Sequence, residues 1–539
     1  MQLRHAVAIF LLGSLLGGQT LPAQDAVGLD LGGALVANGE AERYLRVLQL
    51  IGRVPEYPVA IRPWSRLESR RLVPTTAHPW TARFARPDSL ARGYRLRVLR
   101  PGAALVFNST LPEGEQAAWF GRGVTGVVTG GARVTARWLS LQLAPVVSWS
   151  QNQSFELAPN GQAGDGALRD ARFPGNIDAP QRFGTSPFAR VNAGASQIAI
   201  DTRPLSFGFS TTPLAWGPAR DEPLVIGPNA GGFAHVYFAS GEPWPVGIGH
   251  LHLKLVGGRL EQSDWSPMQT GDRSRFLSAA VATFQPGGVN GLELGVVRVA
   301  ARIWRPGTAT MKNLLRPLSG ILSDPANLLN AAEENGYASA FFRWAIRPAG
   351  LEVYGEYGRE DYAGNFRWLI QKPDDLGNLL LGAQRATQPS AGRLHVYRFE
   401  LINAELSSNE RGQRGLATPH PPYTHGAVIQ GLTVNGQILG SATAYGGAGW
   451  RMARDAYTAA GRQSVVIERR LLRDWLPVAA SADGRAPEVR YSVRFERLRF
   501  RDRNRELGGS VSLGYTLNRN TIPGQDALNL QLGVQWRGW

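Results

Sequence analysis

From about residue 95 to the C-terminus, hydrophobic and polar residues alternate with a period of two. Leu251, Leu253 and Leu255 alternate with histidine and lysine, and the same pattern recurs over 292–296 and 511–517. This alternation predicts β-strands with one apolar and one polar face. Such strands suit a membrane barrel, whose outer face meets lipid and whose lumen is polar, and they also suit a soluble β-sandwich.

The first 23 residues have the pattern of a secretory signal peptide. Arg4 precedes an apolar stretch over 6–16, and residues 21–23 offer a cleavage site, so the mature chain is expected to start near Gln24. No later run of 18 apolar residues could form a spanning helix. An exported chain can still cross a membrane as a closed β-barrel.

A helical periodicity precedes the strands. Between residues 41 and 51 the apolar residues recur at spacings of three and four, and Pro55 and Pro58 follow. This pattern predicts a one-faced helix, and a second short helix is predicted around 66–72. We therefore expect residues 24–95 to form a small helical domain on the periplasmic side of the membrane.

Length and aromatic placement favour the barrel over the sandwich. Residues 96–539 leave room for about 16 to 18 spanning strands with turns and long outer loops. Aromatic residues lie at or near strand-like runs, where the interfacial girdles of such barrels sit: Trp138, Trp149, Trp304, Trp344, Tyr354, Tyr397, Tyr491 and Trp536. We predict an all-β transmembrane chain, an antiparallel outer-membrane β-barrel whose last strand runs through 528–536 and closes near Trp539.

Four segments interrupt the alternation. They are rich in Gly, Pro and polar residues or partly helical in pattern, and they cover 159–186, 311–335, 372–391 and 406–425. We predict loops there. Long loops on one rim of a barrel usually carry the binding residues.

Four stretches, in order along the chain, resemble segments of the capsule-assembly Wzi family. Residues 41–65 are similar to its N-terminal helix and the turn that follows. The other three are Trp216-Gly217-Pro218 with 224–230, Asn335-Gly336-Tyr337 with 351–361, and Tyr423-Thr424-His425-Gly426 with Gly431 and Leu439-Gly440. The resemblance implies a large outer-membrane barrel with a periplasmic helical domain, acting as a non-enzymatic lectin that attaches capsular polysaccharide to the cell surface.

The second of these stretches supplies the first candidate binding residues. Trp216, Arg220, Asp221 and Asn229 lie in or beside it and could contact a polysaccharide. A structural role is the alternative, in which the same loop plugs or narrows the lumen.

Charge suggests an anionic partner. The chain has 58 Lys and Arg against 42 Asp and Glu, a net charge of +16, and only three of the basic residues are lysine, which leaves 55 arginines. Arginine binds carboxylate and phosphate with a bidentate fork. High-GC codon usage would enrich arginine equally well, so both explanations stay open.

A second candidate site is a run of alternating arginines near the C-terminus: Arg497, Arg499, Arg501, Arg503 and Arg505. We expect the strand phase to shift near Glu496, so that this ladder faces the lumen or continues as a loop, because one Arg at the lipid midplane costs about 2–4 kcal/mol. There it could hold uronate or phosphate groups of an acidic polymer. Alternatively, it pairs with acidic residues of neighbouring strands and only fills the barrel.

Motifs for catalysis and metal binding receive no support. The chain has no cysteine, the GxGxxG match at 121–126 is followed by strand-like sequence, and His250 and His252 have no specified third ligand. Neither a GxSxG nor an HExxH motif occurs. We therefore predict that the protein is not an enzyme and has no cofactor or metal.

The expected function is binding and anchoring of capsular or other surface polysaccharide. The expected partners are an acidic polysaccharide and outer-membrane lipids, with no nucleic acid, and the chain is expected to be a monomer. A general or anion-preferring porin, with the arginine ladder lining its channel, is the first alternative. An outer-membrane hydrolase is the second.

Overall fold

The computed structural model describes residues 37–74, 76–83, 93–114, 118–271, 273–319, 334–360, 366–374, 376–405, 407, 421–473, 485–502 and 504–538. The predicted signal peptide (1–23), Arg503 of the predicted ladder and the terminal Trp539 lie outside these residues.

The alternating segments form one closed antiparallel barrel of 18 strands within the described chain, as predicted. The strands are β1 (Arg95–Asn108), β2 (Gly123–Thr135), β3 (Leu139–Leu143 and Val146–Ser150), β4 (Phe188–Asn192 and Gln197–Asp201), β5 (Leu205–Ser210), β6 (Ala234–Ser240 and Trp244–Pro245), β7 (Gly249–Glu261), β8 (Ser274–Pro286), β9 (Leu292–Ile303), β10 (Glu334–Ile346), β11 (Leu351–Glu360), β12 (Gly377–Ser390), β13 (Arg393–Asn403), β14 (Ala448–Thr458), β15 (Gly461–Arg473), β16 (Glu488–Phe500), β17 (Glu506–Leu517) and β18 (Ala527–Arg537). Each strand pairs with the next along the chain, and β18 pairs with β1 over Gln531–Arg537 to close the sheet.

Short helices occupy the segments before and between the strands. They are α1 (Glu40–Leu50), α2 (Arg66–Arg71), α3 (Met311–Leu314), α4 (Arg316–Ser319) and α5 (Phe366–Gln371). No helix in the described ranges is long and apolar enough to cross a membrane.

The period-two pattern separates the two faces of the sheet. On β17, Leu513 and Tyr515 are exposed on the outer face, while Ser512 and Thr516 are buried inside. This is the division expected when one face meets lipid and the other a filled, polar lumen.

The connections differ in length at the two ends of the barrel. One end has only short turns, such as residues 391–392 between β12 and β13 and 459–460 between β14 and β15. The other end has the long connections, among them 151–187, 211–233 and 404–447. In outer-membrane barrels the short turns face the periplasm and the long loops face outward. We call these ends the short-turn rim and the long-loop rim.

One of the four predicted loops is wrong. The segment 372–391 consists mostly of strand β12, in which Leu379 and Leu381 face outward while Asn378 and Gln384 face inward. Polar residues at 378, 384 and 388 and the glycine and proline at 382 and 389 interrupt the apolar pattern, so the strand resembles a loop in sequence, although Leu380 and Ala386 also face inward. The segment 159–186 contains no strand, and 311–335 carries α3 and α4 before β10 begins. Most of 406–425 lies outside the described residues.

The helices α1 and α2 lie inside the barrel, so the predicted separate periplasmic domain is misplaced. Tyr44 and Leu48 of α1 are fully buried, and they pack in one cluster with the inward-facing Leu394 of β13, Tyr457 of β14 and Leu498 of β16. The apolar stripe of α1 is buried, as expected for a one-faced helix. The barrel wall buries it, because the inner face of these strands carries apolar side chains at matching positions. We call residues 37–83 the plug.

Local sequence explains where the second plug helix begins. The side chain of Ser65 accepts a hydrogen bond from the backbone N–H of Glu68, and the Glu68 carboxylate accepts one from the backbone N–H of Ser65. This reciprocal capping box satisfies two backbone donors that the first turn leaves open.

Buried carboxylates on the barrel wall hold the plug in place. Glu293 of β9 accepts hydrogen bonds from the backbone N–H groups of Val59 (3.0 Å) and Ala60 (3.1 Å). Glu352 of β11 accepts from Nε of Arg46 at 2.9 Å, and its other oxygen accepts from Nη2 of Arg343 at 2.8 Å. Each wall carboxylate is therefore satisfied by donors from the inserted segment or the neighbouring strand.

A third carboxylate holds a loop that enters from the long-loop rim. Glu400 of β13 accepts hydrogen bonds from three consecutive backbone N–H groups, those of Arg220 (2.9 Å), Asp221 (3.1 Å) and Glu222 (2.7 Å). The hydroxyl of Tyr354 donates a fourth at 2.8 Å. Loop 211–233 is thereby fixed inside the lumen above the plug.

We predict that Glu400→Ala destabilises the inserted loop. It leaves two buried donors, those of Arg220 and Tyr354, and two part-buried donors, those of Asp221 and Glu222, without this acceptor. A buried unsatisfied donor costs about 1–3 kcal/mol. The variant should lose its heat-modifiable, folded migration on gels at a clearly lower temperature than the parent. The matched control is Glu261→Ala, which removes a half-exposed carboxylate paired with Arg259 on the outer face and should change stability by less than about 1 kcal/mol. Equal unfolding temperatures for Glu400→Ala and the control would contradict the anchoring role.

Candidate functional site

The loop that carries Trp216 docks onto the plug. Residues Ala215–Trp216 pair antiparallel with Ile61–Arg62 of the plug, and Trp216 is fully buried. The Arg62 guanidinium donates hydrogen bonds to the carbonyl oxygens of Gly217 (3.1 Å) and Ala219 (2.8 Å). This part of the loop is a structural contact.

Gly217 is required by the same contact. Its φ is +91°, and a Cβ there would lie 2.6 Å from a carboxylate oxygen of Glu356 on β11. Only glycine adopts this backbone conformation at low cost and leaves room for the carboxylate.

A second long loop packs against the first. The Tyr423 backbone N–H donates to Glu360 of β11 at 2.7 Å, and its hydroxyl donates to the carbonyl oxygen of Leu224. The side-chain amide of Asn229 donates to the carbonyl oxygen of Ile438 at 2.9 Å. Loop 211–233 and residues 421–447 thus form one unit inside the barrel.

The inserted segments leave a cavity of about 460 Å³ on one side of the lumen. Its deep end reaches Glu40 and Arg43 of α1, and its mouth reaches Glu156 and Arg519 in the long-loop rim. The plug and loop 211–233 bound it on the side of the short-turn rim. We call this space the lumenal cavity.

Arginines of three adjacent strands form one wall of the cavity. They face the cavity from β14, β15 and β16, four of them by strand alternation and Arg473 after a register shift near the end of β15, and we call them the lumenal arginine wall: Arg451, Arg470, Arg473, Arg490 and Arg494. Their convergence places several bidentate donors on one side of a single cavity.

Carboxylates neutralise the deep part of this wall. Asp221 lies 2.7 Å from Arg398 and 3.4 Å from Arg451, and Glu468 lies 2.7 Å from Arg451. Burial alone would raise the pKa of Asp221, but the surrounding guanidinium groups, Arg398 first, outweigh it and hold the pKa well below its usual range. Asp221 therefore stays ionised at physiological pH, and the deep part stays charge-balanced.

The arginines nearer the mouth have weaker partners. Arg473 is 3.5 Å from Glu488, and Arg519 is 3.6 Å from the carboxylate of the half-exposed Glu156, while its Nη2 donates to the Glu156 carbonyl oxygen. Nε of Arg490 donates to the hydroxyl of Thr516 at 3.1 Å. Their guanidinium groups retain donors that can turn to an incoming anion.

A smaller cavity of about 250 Å³ adjoins the mouth and adds positive charge. It is lined by Arg172, Arg473 and Arg485, and it shares Arg473 and Asn520 with the lumenal cavity. Burial, together with the charges of Arg485 and Arg473, lowers the pKa of Arg172 to about 10. The mutual repulsion of these arginines favours an anion in this space.

The structure separates the residues that were predicted to bind ligand. Asp221 and Asn229 line the lumenal cavity, whereas Trp216 and Arg220 are buried away from it. The side chain of Arg220 donates to Gln384 of β12.

Of the two positions predicted for the arginine ladder, the lumen is wrong, and the loop holds for Arg501 and Arg505 among the described residues. Strand β16 keeps a single phase, so Arg497 and Arg499 continue the outer face of Tyr491, Val493 and Phe495. Arg501 and Arg505 lie in the turn after β16 at the short-turn rim, where Asp502 pairs with Arg505. The arginines of this strand that do face the cavity are Arg490 and Arg494. Continuing the alternation of the strand past Phe495 would have placed Arg497 and Arg499 on the outer face.

Metal chemistry finds no geometric support in the residues described. No group of three or more His, Asp or Glu among them is arranged to hold a metal ion. His252, one of the two histidines considered from the sequence, is buried with Nε2 3.5 Å from Glu68 of the plug.

Comparison with known proteins shows the class of the fold. No protein-family model and no curated protein sequence matches the chain. Among solved structures it is similar to Wzi, an outer-membrane protein involved in group 1 capsule assembly in Escherichia coli and a carbohydrate-binding β-barrel. The TM-score is 0.61 at 14% identity, over 93% of this chain and 99% of that one.

Two outer-membrane proteins of Pseudomonas aeruginosa also match, with lower scores. OccK9 (OpdG) has a TM-score of 0.38 at 10% identity, over 84% of this chain and 100% of that one. OprD has a TM-score of 0.35 at 8% identity, over 81% and 92%. The protein described here is an outer-membrane β-barrel, and its architecture is Wzi-like.

We predict little or no steady ion conductance in planar bilayers. The plug and loop 211–233 fill the lumen between the cavity and the short-turn rim, so ions lack a continuous wide path. Glu400→Ala, which removes the loop anchor, should show more frequent openings than the parent. Large, stable, anion-selective openings of the parent would contradict this prediction.

Proposed function

We propose that this protein binds an acidic surface polysaccharide in the lumenal cavity and retains it at the cell surface without catalysis. The observation that carries the proposal is the excess of arginine at a cavity mouth on the long-loop rim. Wzi is a carbohydrate-binding β-barrel, which supports the polysaccharide, and the resemblance of the motifs supports a role in capsule assembly.

The arginine geometry favours acidic over neutral sugars. Carboxylate and phosphate groups accept two parallel hydrogen bonds from one guanidinium, and such charge-assisted bonds are about twice as strong as neutral ones. Arg473, Arg490 and Arg519 line the mouth from two strands and one loop, and Arg172 and Arg485 extend the positive surface outward. A chain with one acidic group per repeat could contact several of them at once.

Weak contacts suffice for retention of a long polymer. When one site holds a chain, the next acidic unit meets neighbouring proteins at high effective concentration, so avidity exceeds single-site affinity by about 10²–10⁴. A retaining protein therefore needs only a modest site, in keeping with an open cavity of this size.

An anion-preferring porin is the second candidate, because an arginine wall along one side of a lumen is also the geometry of an anion pathway. The filled lumen below the cavity favours the polysaccharide proposal. The conductance measurement above separates the two.

The test uses polygalacturonate as the acidic probe and dextran as the neutral one, with purified full-length protein in detergent. We predict binding of polygalacturonate but not of dextran. Raising NaCl well above physiological ionic strength should weaken it, because the Debye length falls from about 8 Å toward about 3 Å. The triple variant Arg473→Gln, Arg490→Gln and Arg519→Gln should bind at least about tenfold more weakly while keeping heat-modifiable migration.

The matched control is Arg454→Gln, Arg497→Gln and Arg499→Gln, which removes the same charge from the outer face near the short-turn rim. It should bind polygalacturonate like the parent. Equal weakening of binding by both triple variants would mean that net charge alone drives binding. Weakening by the control variant alone would place the binding site at the arginines first predicted from the sequence. Equal binding of dextran would contradict the acidic specificity.

A further inference from the structure

The outer face of the barrel carries a second concentration of arginine, separate from the lumenal cavity. It lies on β12–β16 close to the short-turn rim, and we call it the outer arginine patch: Arg385, Arg393, Arg454, Arg497 and Arg499. All five side chains are exposed.

Strand register brings these residues together. Tyr397 of β13 lies opposite Arg385 on one side and Arg454 on the other. One row of directly opposed residues nearer the rim runs across four neighbouring strands in the order His395, Ala456, Gln463 and Arg497. Directly opposed residues in a sheet have Cβ atoms about 4.5–5.5 Å apart, so the patch is a compact surface across five strands.

The row nearest the short turns carries small side chains at its centre. Arg393 and Arg499 stand at the two ends of this third row, whose inner members are Thr458 and Gly461. The two arginine side chains of this row are therefore separated by small residues.

Carboxylates on these strands are all on the opposite face. Within the described parts of β12–β16, every Asp and Glu is buried and points inward: Glu400, Asp455, Glu468, Glu488 and Glu496. The outer arginines thus have no carboxylate on their own sheet face, whereas Asp455 and Glu496 pair inside with Arg462.

The patch is local and not a feature of the whole rim. On the outer face of β3–β5 at the same end, the corresponding residues are apolar, among them Leu141, Ile198 and Phe207. Arginine is therefore concentrated on the outer face of one side of the barrel. A need for solubility around the whole rim would not produce this one-sided distribution.

An apolar surface continues from the patch toward the middle of the barrel. Phe399 and Met452 are exposed on the same outer face one row farther from the short turns, and Val465 and Phe495 continue the row of Arg385, Tyr397 and Arg454. In an outer-membrane barrel this surface contacts acyl chains, and the patch next to it lies at headgroup depth in the periplasmic leaflet.

We propose that the outer arginine patch binds the phosphate headgroup of an anionic glycerophospholipid of the periplasmic leaflet. Several forked guanidinium groups can hold one phosphodiester bidentately, while the acyl chains lie on the apolar surface above. Tyr397, between Arg385 and Arg454, has the amphipathic character typical of interfacial positions. This inference is independent of polysaccharide binding, which uses the other rim and the other face of the sheet.

The test measures lipid retention by native mass spectrometry of the full-length protein after exchange into detergent with equal amounts of dioleoylphosphatidylglycerol and dioleoylphosphatidylcholine. We expect the parent to retain phosphatidylglycerol in at least about threefold excess over phosphatidylcholine. The variant Arg454→Gln, Arg497→Gln and Arg499→Gln should lose this preference. The corresponding Arg→Lys triple, which keeps the charge, should retain a good part of it.

The matched control removes three exposed arginines at the long-loop rim, Arg259, Arg273 and Arg305, each changed to Gln, and should retain the preference. Sodium phosphate in the same molar excess should not displace the lipid, since a site for free phosphate alone would be emptied by it. The single variant Arg497→Gln serves if the triple fails to fold, with an expected partial loss. Equal retention of the two lipids by the parent, or an unchanged preference in the folded Gln variants, would overturn the proposal.

Discussion

The structure depends on carboxylates that a β-barrel turns inward and must satisfy there. Buried carboxylates are tolerated only when donors surround them. Here the donors come from segments that enter the lumen: backbone N–H groups of 59–60 on Glu293, Arg46 on Glu352, and three successive N–H groups on Glu400. The wall supplies carboxylate acceptors, and the inserted segments supply the N–H donors that satisfy them. The position of the plug, the closed lower lumen and the remaining cavity follow from this pairing.

The motifs that resemble the Wzi family gain a physical meaning from the same pairing. Glu352, Glu356 and Glu360 of the 351–361 stretch face the lumen and contact, respectively, Arg46, the Gly217 turn and the Tyr423 backbone. The four stretches that looked like separate signals along the chain therefore meet around the plug. The residues of these stretches fill the barrel. The arginine-lined mouth that we propose as the binding site lies outside the four stretches.

Much of the fold could be predicted from the sequence, because strand alternation is a local property. The strand class and the first helix rest on spacings within about a dozen residues. The range of 16 to 18 strands rests on the length of chain left for the barrel. The position of the helices could not be predicted this way, since Arg46 and Glu352 are 306 residues apart and each looks like an ordinary charged residue in its own segment. β12 resembles a loop because glycine, proline and polar residues interrupt its apolar pattern, and the arginines of β16 were misassigned because a phase shift was assumed where the alternation continues.

Charge is arranged differently on the two faces of one stretch of sheet. Inside β14–β16, carboxylates balance the deep arginines and leave an excess at the mouth, while on the outer face of β12–β16 the arginines stand without carboxylates. The net charge of the whole chain, +16, does not show how charge is arranged on either surface. The two surfaces face different surroundings, an outward-opening cavity and a lipid leaflet, so each is open to a separate experiment.

Site-specific labelling in intact cells tests the central claim, that an arginine-lined cavity opens outward and holds acidic polymer. The chain has no cysteine, so Arg490→Cys introduces a single reactive thiol into the cavity without background. The account predicts that a membrane-impermeant maleimide labels Arg490→Cys from outside, that polygalacturonate slows the labelling but dextran does not, and that Arg499→Cys at the short-turn rim stays unlabelled. Labelling of Arg499→Cys but not of Arg490→Cys, or a labelling rate that polygalacturonate leaves unchanged, would contradict it.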